Sequence, residues 1–194
     1  NSAILDFQRA GRGGLPAGGE RGRSGPPSMF RGAPIEVRLL DDPRAWRGRL
    51  LAGERGQPVH AGTFVRRRLI VLDRALLDAP RELARILAHE LFHFVWLRLG
   101  NPSRREWEKL LAAEIRAGVS GELGWSAEWR KGELRRPDRA RRTRRWREYA
   151  CESFCDTAAW VLRGGRHAQF TLGKPARAAR RSWFCNLLSR RVSI

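Results

Sequence analysis

Residues 80–99, Pro-Arg-Glu-Leu-Ala-Arg-Ile-Leu-Ala-His-Glu-Leu-Phe-His-Phe-Val-Trp-Leu-Arg-Leu, decide how the chain is to be read. Leu83, Ile86, Leu87, Leu91, Phe94 and Val95 recur at helical spacing. Proline opens the segment and Gly100-Asn101-Pro102 closes it, which predicts a buried helix over 80–99 with Gly100 as its C-terminal cap. Inside it stands His89-Glu90-Leu91-Phe92-His93. Side chains four apart share a helix face one turn apart, so both imidazoles can offer a nitrogen to one tetrahedral Zn²⁺. Glu90 is turned about 100° from His89, badly placed as a third ligand but able to take a proton from an attacking water. With four His and 13 Glu in 194 residues, chance produces this pattern in roughly 0.5% of such chains.

Zinc needs a third protein ligand, and a second buried helix supplies candidates. Residues 143–163 carry Trp146, Phe154, Ala158, Ala159, Trp160 and Leu162 and end at Gly164-Gly165. Glu152 and Asp156 lie one turn apart among these apolar residues, where carboxylates are unexpected. Glu152 as a metal ligand and Asp156 as the acceptor that holds a ligand imidazole through its other ring N–H would account for both. Glu148, one turn earlier on the same face, is a rival ligand, and the helix acids could instead pair with the preceding arginines. Cys151 and Cys155 neighbour Glu152, so a thiolate ligand competes with the commoner behaviour of buried Cys as a small apolar side chain.

His89-Glu-Leu-Phe-His93 followed by a helix bearing Glu152-Ser-Phe-Cys-Asp156 resembles the gluzincins, the thermolysin-like branch of the zincin metallopeptidases. The run Tyr149-Ala-Cys-Glu-Ser-Phe154 is similar to the corresponding segment of small gluzincins, or minigluzincins, and of lethal-factor-like peptidase domains. The resemblance spans about 75 residues, with 58 residues between His93 and Glu152, and no third His follows His93 as a metzincin would require. It implies an α+β, zincin-like fold: a small mixed or antiparallel sheet whose edge strand lies beside the active-site helix, plus the glutamate-bearing helix. It implies Zn²⁺ on His89, His93 and Glu152, Glu90 as general base, Asp156 orienting a ligand His, and peptide hydrolysis. The tetrahedral oxyanion then needs a donor, for which Tyr149 and His167 come first and His60 after them. In zincins the substrate lies antiparallel to the edge strand, here expected within Thr63–Leu72 (TFVRRRLIVL). As a single strand this run puts Arg66 and Arg68 on one face, which predicts substrate contacts and a preference for acidic side chains.

Around this nucleus, residues 1–34 read as a disordered Gly/Pro/Arg-rich tail and 35–194 as one domain. Met29, the sole methionine, suggests translation starting there. Residues 35–40 read as a short strand. Further helices are expected from Ser103, opening a capping box with Glu106, to Gly118; over about Ser126–Arg136; and from Pro175 onwards. Three cysteines cannot form an even disulfide framework, and neither a secretory signal nor a membrane-length apolar run is visible, which together predict a cytoplasmic protein without a membrane partner.

The net charge of +19 invites a nucleic-acid reading. Only three of the 39 cations are Lys, an arginine bias that base composition alone can produce. The excess is also unevenly placed: residues 81–134 carry 9 cations and 8 anions, whereas 135–194 carry 16 and 4. The competing function is therefore a basic nucleic-acid-binding or regulatory protein with a structural or vestigial zinc site, associating weakly through Arg135–Arg147 with Trp146 available for stacking. A structural zinc site has no use for a general base, so the retained Glu90 favours the peptidase, either general or dedicated to a single protein partner. No feature of the sequence reports an oligomeric state.

Overall fold

The computed structural model describes residues 30–46, 49–52, 56–189 and 192–193. Most of the expected tail, including Met29, lies outside the described residues. Its last residues belong to the fold: β1 (Phe30–Arg31) pairs in parallel with β8 (Val192–Ser193). Two further sheets precede the helices. In one, β2 (Glu36–Leu40) runs parallel to β7 (Leu69–Asp73), and β6 (Ala61–Phe64) pairs antiparallel on the other side of β7. In the other, β3 (Pro43–Trp46) lies between β4 (Arg49–Ala52) and β5 (Gln57–Pro58). Helices α1 (Pro80–Arg98), α2 (Asn101–Arg116), α3 (Trp125–Gly132), α4 (Arg136–Arg141), α5 (Arg144–Arg163) and α6 (Lys174–Leu188) follow. The chain is α+β.

Thr63–Leu72 is not one strand. It is a tight hairpin, with a 3-10 turn at Val65–Arg67 and Arg68 at φ 49° between β6 and β7. The four apolar residues of Leu69–Leu72 are buried because β7 is the middle strand, and a central strand reads as a continuous apolar run. The arginines occupy the turn, so Arg66 and Arg68 do not line a strand face. The sheet's edges are β2 and β6, and it is the shorter β6 that borders the histidine-bearing helix.

Helix boundaries depart from expectation where proline sets them. Gly100 has φ −63° and precedes α2 instead of closing α1 in a left-handed cap. Pro102 then sits in the first turn of α2, displacing the expected capping box at Ser103. The helix expected over Ser126–Arg136 stops at Gly132, and Pro137 starts the separate α4. Helix α5 starts within a residue of the expected position, and Thr143 caps it, its Oγ1 accepting from the Trp146 amide.

Two apolar clusters fix α1. Ile86, Leu87 and Phe94 pack on Ile70 and Leu72 of the sheet. Phe92 and Trp96 face the helices, where Phe92 meets Phe154 and Phe184 at centroid distances of 5.8 and 6.1 Å. Within the five-residue motif Phe92 is fully buried against the other helices, which anchors the helix that carries His89, Glu90 and His93. Among the described residues no helix is long and apolar enough to cross a membrane.

Candidate metal centre

Helices α1 and α5 lie against each other and bring the two sequence motifs together. His89 is held at both ring nitrogens: Nδ1 lies 2.8 Å from Asp156 Oδ1 and Nε2 lies 3.3 Å from Glu152 Oε2. The His93 ring stands edge-on to it with centroids 5.0 Å apart. His93 Nδ1 is 3.5 Å from Cys151 Sγ, and its Nε2 is 4.0 Å from Glu90 Oε2. The same Glu90 oxygen accepts a 2.6 Å hydrogen bond from the Thr63 hydroxyl, so β6 reaches the centre directly.

Acidic neighbours dominate the electrostatics of the two imidazoles. Burial opposes protonation of His89, yet Asp156 and Glu152 outweigh it and raise its pKa well above the usual imidazole value. Burial likewise opposes charge on His93, but Cys151 and Glu90 bring its pKa up to about 9. Burial alone would raise Glu152; the two histidines and Arg130 reverse this and lower it to about 2. Glu152 is thus a carboxylate at any ordinary pH. Arg130 of α3 approaches its other oxygen, Nε to Oε1 3.5 Å, while its NH1 donates to Glu148. Glu148, the rival ligand, is engaged by Arg130 and Arg144.

One atom each from His89, His93 and Cys155 lie within 4.8 Å of one another, a grouping that could hold a metal ion. Glu152 stands outside that grouping but beside one of its members. Two N/O ligands bound tetrahedrally at about 2.0–2.1 Å sit about 3.3–3.4 Å apart, and His89 Nε2 and Glu152 Oε2 are 3.3 Å apart. His89 and Glu90 open into a cleft of about 390 Å³, also lined by His60, Ala61, Arg85 and Trp125.

Several expected site residues lie elsewhere. Tyr149 is fully buried and donates its hydroxyl to Glu122 at 2.6 Å, so it does not face the cleft. His167 lines a neighbouring groove with Pro80 and Gly164, its Nε2 3.4 Å from Glu82. Of the three proposed oxyanion donors, only His60 lines the cleft. Arg66 and Arg68 are absent from its lining. Arg68 instead donates to the Pro34 carbonyl at 3.0 Å and lies over the Phe94 ring. Along Arg135–Arg147, Trp146 is buried and cannot stack on a base, and Arg142 and Arg144 pair with Glu108 and Glu148.

Thr63, Arg130 and Trp125 escape the sequence reading. Thr63 and Arg130 carry no local signal, since only tertiary pairing brings them to Glu90 and Glu152. For Trp125 the available signal is its spacing from Trp129, two large aromatics one turn apart in a polar stretch. Comparison with protein-family models, with curated proteins and with solved structures returns no match.

Proposed function

We propose that the chain is a zinc-dependent peptidase of the gluzincin type, with a zincin-like arrangement of edge strand, histidine-bearing helix and glutamate-bearing helix. The observation that carries this reading is the line Asp156–His89–Glu152 with Glu90 at its side, held by a hydroxyl from the edge strand. Two imidazoles and a carboxylate are a donor set that suits zinc. Glu152 is preferred to Cys155 as third ligand because it is already ionised, whereas burial pushes the Cys155 thiol up and keeps its proton on.

Zinc held by these residues supplies a Lewis acid, which polarises a peptide carbonyl and acidifies a water. Asp156 accepts the proton of His89 Nδ1 and so fixes the tautomer, leaving the Nε2 lone pair on the side of Glu152. Glu90 takes the proton of the attacking water and passes it to the leaving amine. Thr63 fixes the rotamer of that carboxylate through Oε2. His60, at the cleft, is the group placed to donate to the oxyanion. The edge strand β6 offers main-chain pairing to an extended substrate.

The test joins metal analysis to a peptide-cleavage assay. The expected result is one zinc per chain, with Glu90→Gln keeping its zinc while kcat/KM falls roughly 10²–10⁴-fold. A zinc-loaded wild type that cleaves no member of a broad peptide library overturns the peptidase reading.

A further inference from the structure

Helix α3 exposes two large apolar side chains that the mechanism does not use. Trp125 is 63% exposed and Trp129 52%. Their rings stack within 5° of parallel at a centroid distance of 6.0 Å, and the Arg130 guanidinium lies over Trp129. Stacking covers only part of each ring, so the pair still presents apolar surface to water. Trp125 belongs to the wall of the cleft that holds His89 and Glu90.

Its position there is fixed. Gly124 approaches Asp156 so closely that a Cβ would fall 2.2 Å from the carboxyl carbon. The Ala127 amide donates to Asp156 Oδ2 at 3.2 Å, while Oδ1 of the same side chain holds His89. The start of α3 therefore rests on the residue that orients a ligand imidazole. Across the cleft, β6 pairs only with β7 among the described residues, leaving an edge free, and Ala61 of β6 lines the same cleft. Arg85, the cation in the lining, is already bonded to Glu82 at 2.9 Å. The wall thus offers an aromatic plane in place of an unpaired charge.

We propose that Trp125, backed by Trp129, forms an aromatic recognition wall for a Phe-, Tyr- or Trp-sized side chain of an extended peptide laid along β6. Alternate side chains of an added strand point to opposite sides, so one residue can meet Trp125 while its neighbours face away. This replaces the acidic preference expected from Arg66 and Arg68. It rests on the peptidase reading above for its substrate class.

The test separates binding from chemistry. Zinc-loaded Glu90→Gln is titrated by calorimetry with two series of short peptides, one carrying a single Phe at successive positions and the other Ala. At one position the Phe peptide should bind about tenfold tighter or more, as expected for a buried aromatic contact. Adding Trp125→Ala should erase that preference, and Trp125→Phe should keep most of it. In the active enzyme, Trp125→Ala should bring the Phe-to-Ala ratio of kcat/KM close to one, chiefly through KM. A Phe preference that survives Trp125→Ala, or no preference in the Glu90→Gln background, overturns the proposal. Tight, Trp125-dependent binding by a wild type that never cleaves supports the wall and removes the peptidase reading instead.

Discussion

Helix α5 borders two buried polar clusters. On one side Arg180, fully buried, donates from NH2 to Glu114 at 2.6 Å and from NH1 to Glu122 and Ser153 at 2.6 and 2.9 Å. Tyr149 and Lys131 complete the coordination of Glu122. The two carboxylates meet two cations and every partner is internal. On the other side Glu90, Glu152 and Asp156 surround two imidazoles beside a cleft, and those imidazoles are driven to hold protons. Both clusters meet α5 over the same stretch, Ser153 of the first standing in sequence between Glu152 and Asp156 of the second. The first is charge-balanced and closed, as a structural clasp must be. The second holds a group that could bind a metal ion and borders an open cleft, as the proposed chemistry would require.

The largest effect that can break this contrast is at Glu90. Its replacement by Gln removes the base and, on the present reading, up to 10⁴-fold of activity while zinc content and thermal midpoint hold. Arg180→Met should do the reverse. Leaving Glu114 and Glu122 buried without their cation should cost about 3–5 kcal/mol of stability in chemical denaturation, with zinc stoichiometry of the folded fraction unchanged. If Arg180→Met is stable but inactive, the two clusters are not separate in function.

A smaller change probes the support of the ligands. Asp156→Asn should weaken zinc binding roughly 10–100-fold in competition with a chromophoric chelator, because Asn cannot accept both the His89 proton and the Ala127 amide in the same way. A last test is with pH. His93, with its pKa at about 9 without metal, must lose a proton to bind zinc. Zinc affinity should therefore climb by roughly tenfold or more per pH unit from pH 7 and level off above about 9. Glu152 behaves oppositely: lowered to about 2, its stabilisation is complete above its ordinary value of 4.5 and is lost only as pH falls through about 2. The Arg180 cluster should be indifferent across pH 6–9, since Arg180 is raised against burial by Glu122 and Glu114, and Glu122 is lowered by Arg180.

These two regions also differ in how far the sequence exposes them. The His89–His93 and Glu152–Asp156 spacings are local, and their helices have strong apolar periodicity and clear stops, so α1 and α5 are legible to within a residue or two. The Arg180 cluster is invisible by the same means. Arg180 sits in Ala-Arg-Ala-Ala-Arg-Arg-Ser, one arginine among many, and its partners lie 66 and 58 residues away. The hairpin at Arg68 was hidden for another reason: the turn uses neither Gly nor Pro, so β-branched and aromatic residues on both sides read as one strand. Tyr149 misled because proximity along a helix to Glu152 says nothing about which of two faces the hydroxyl takes.

Asp156 joins these threads mechanically. One carboxylate carries a 2.8 Å bond to the His89 ring and a 3.2 Å bond to the first turn of α3. A tilt of that helix is therefore transmitted as a torque on the imidazole, through two bonds and a single rigid side chain. The first turn of α3, at the rim of the cleft, and the His89 imidazole are thus joined through a single side chain.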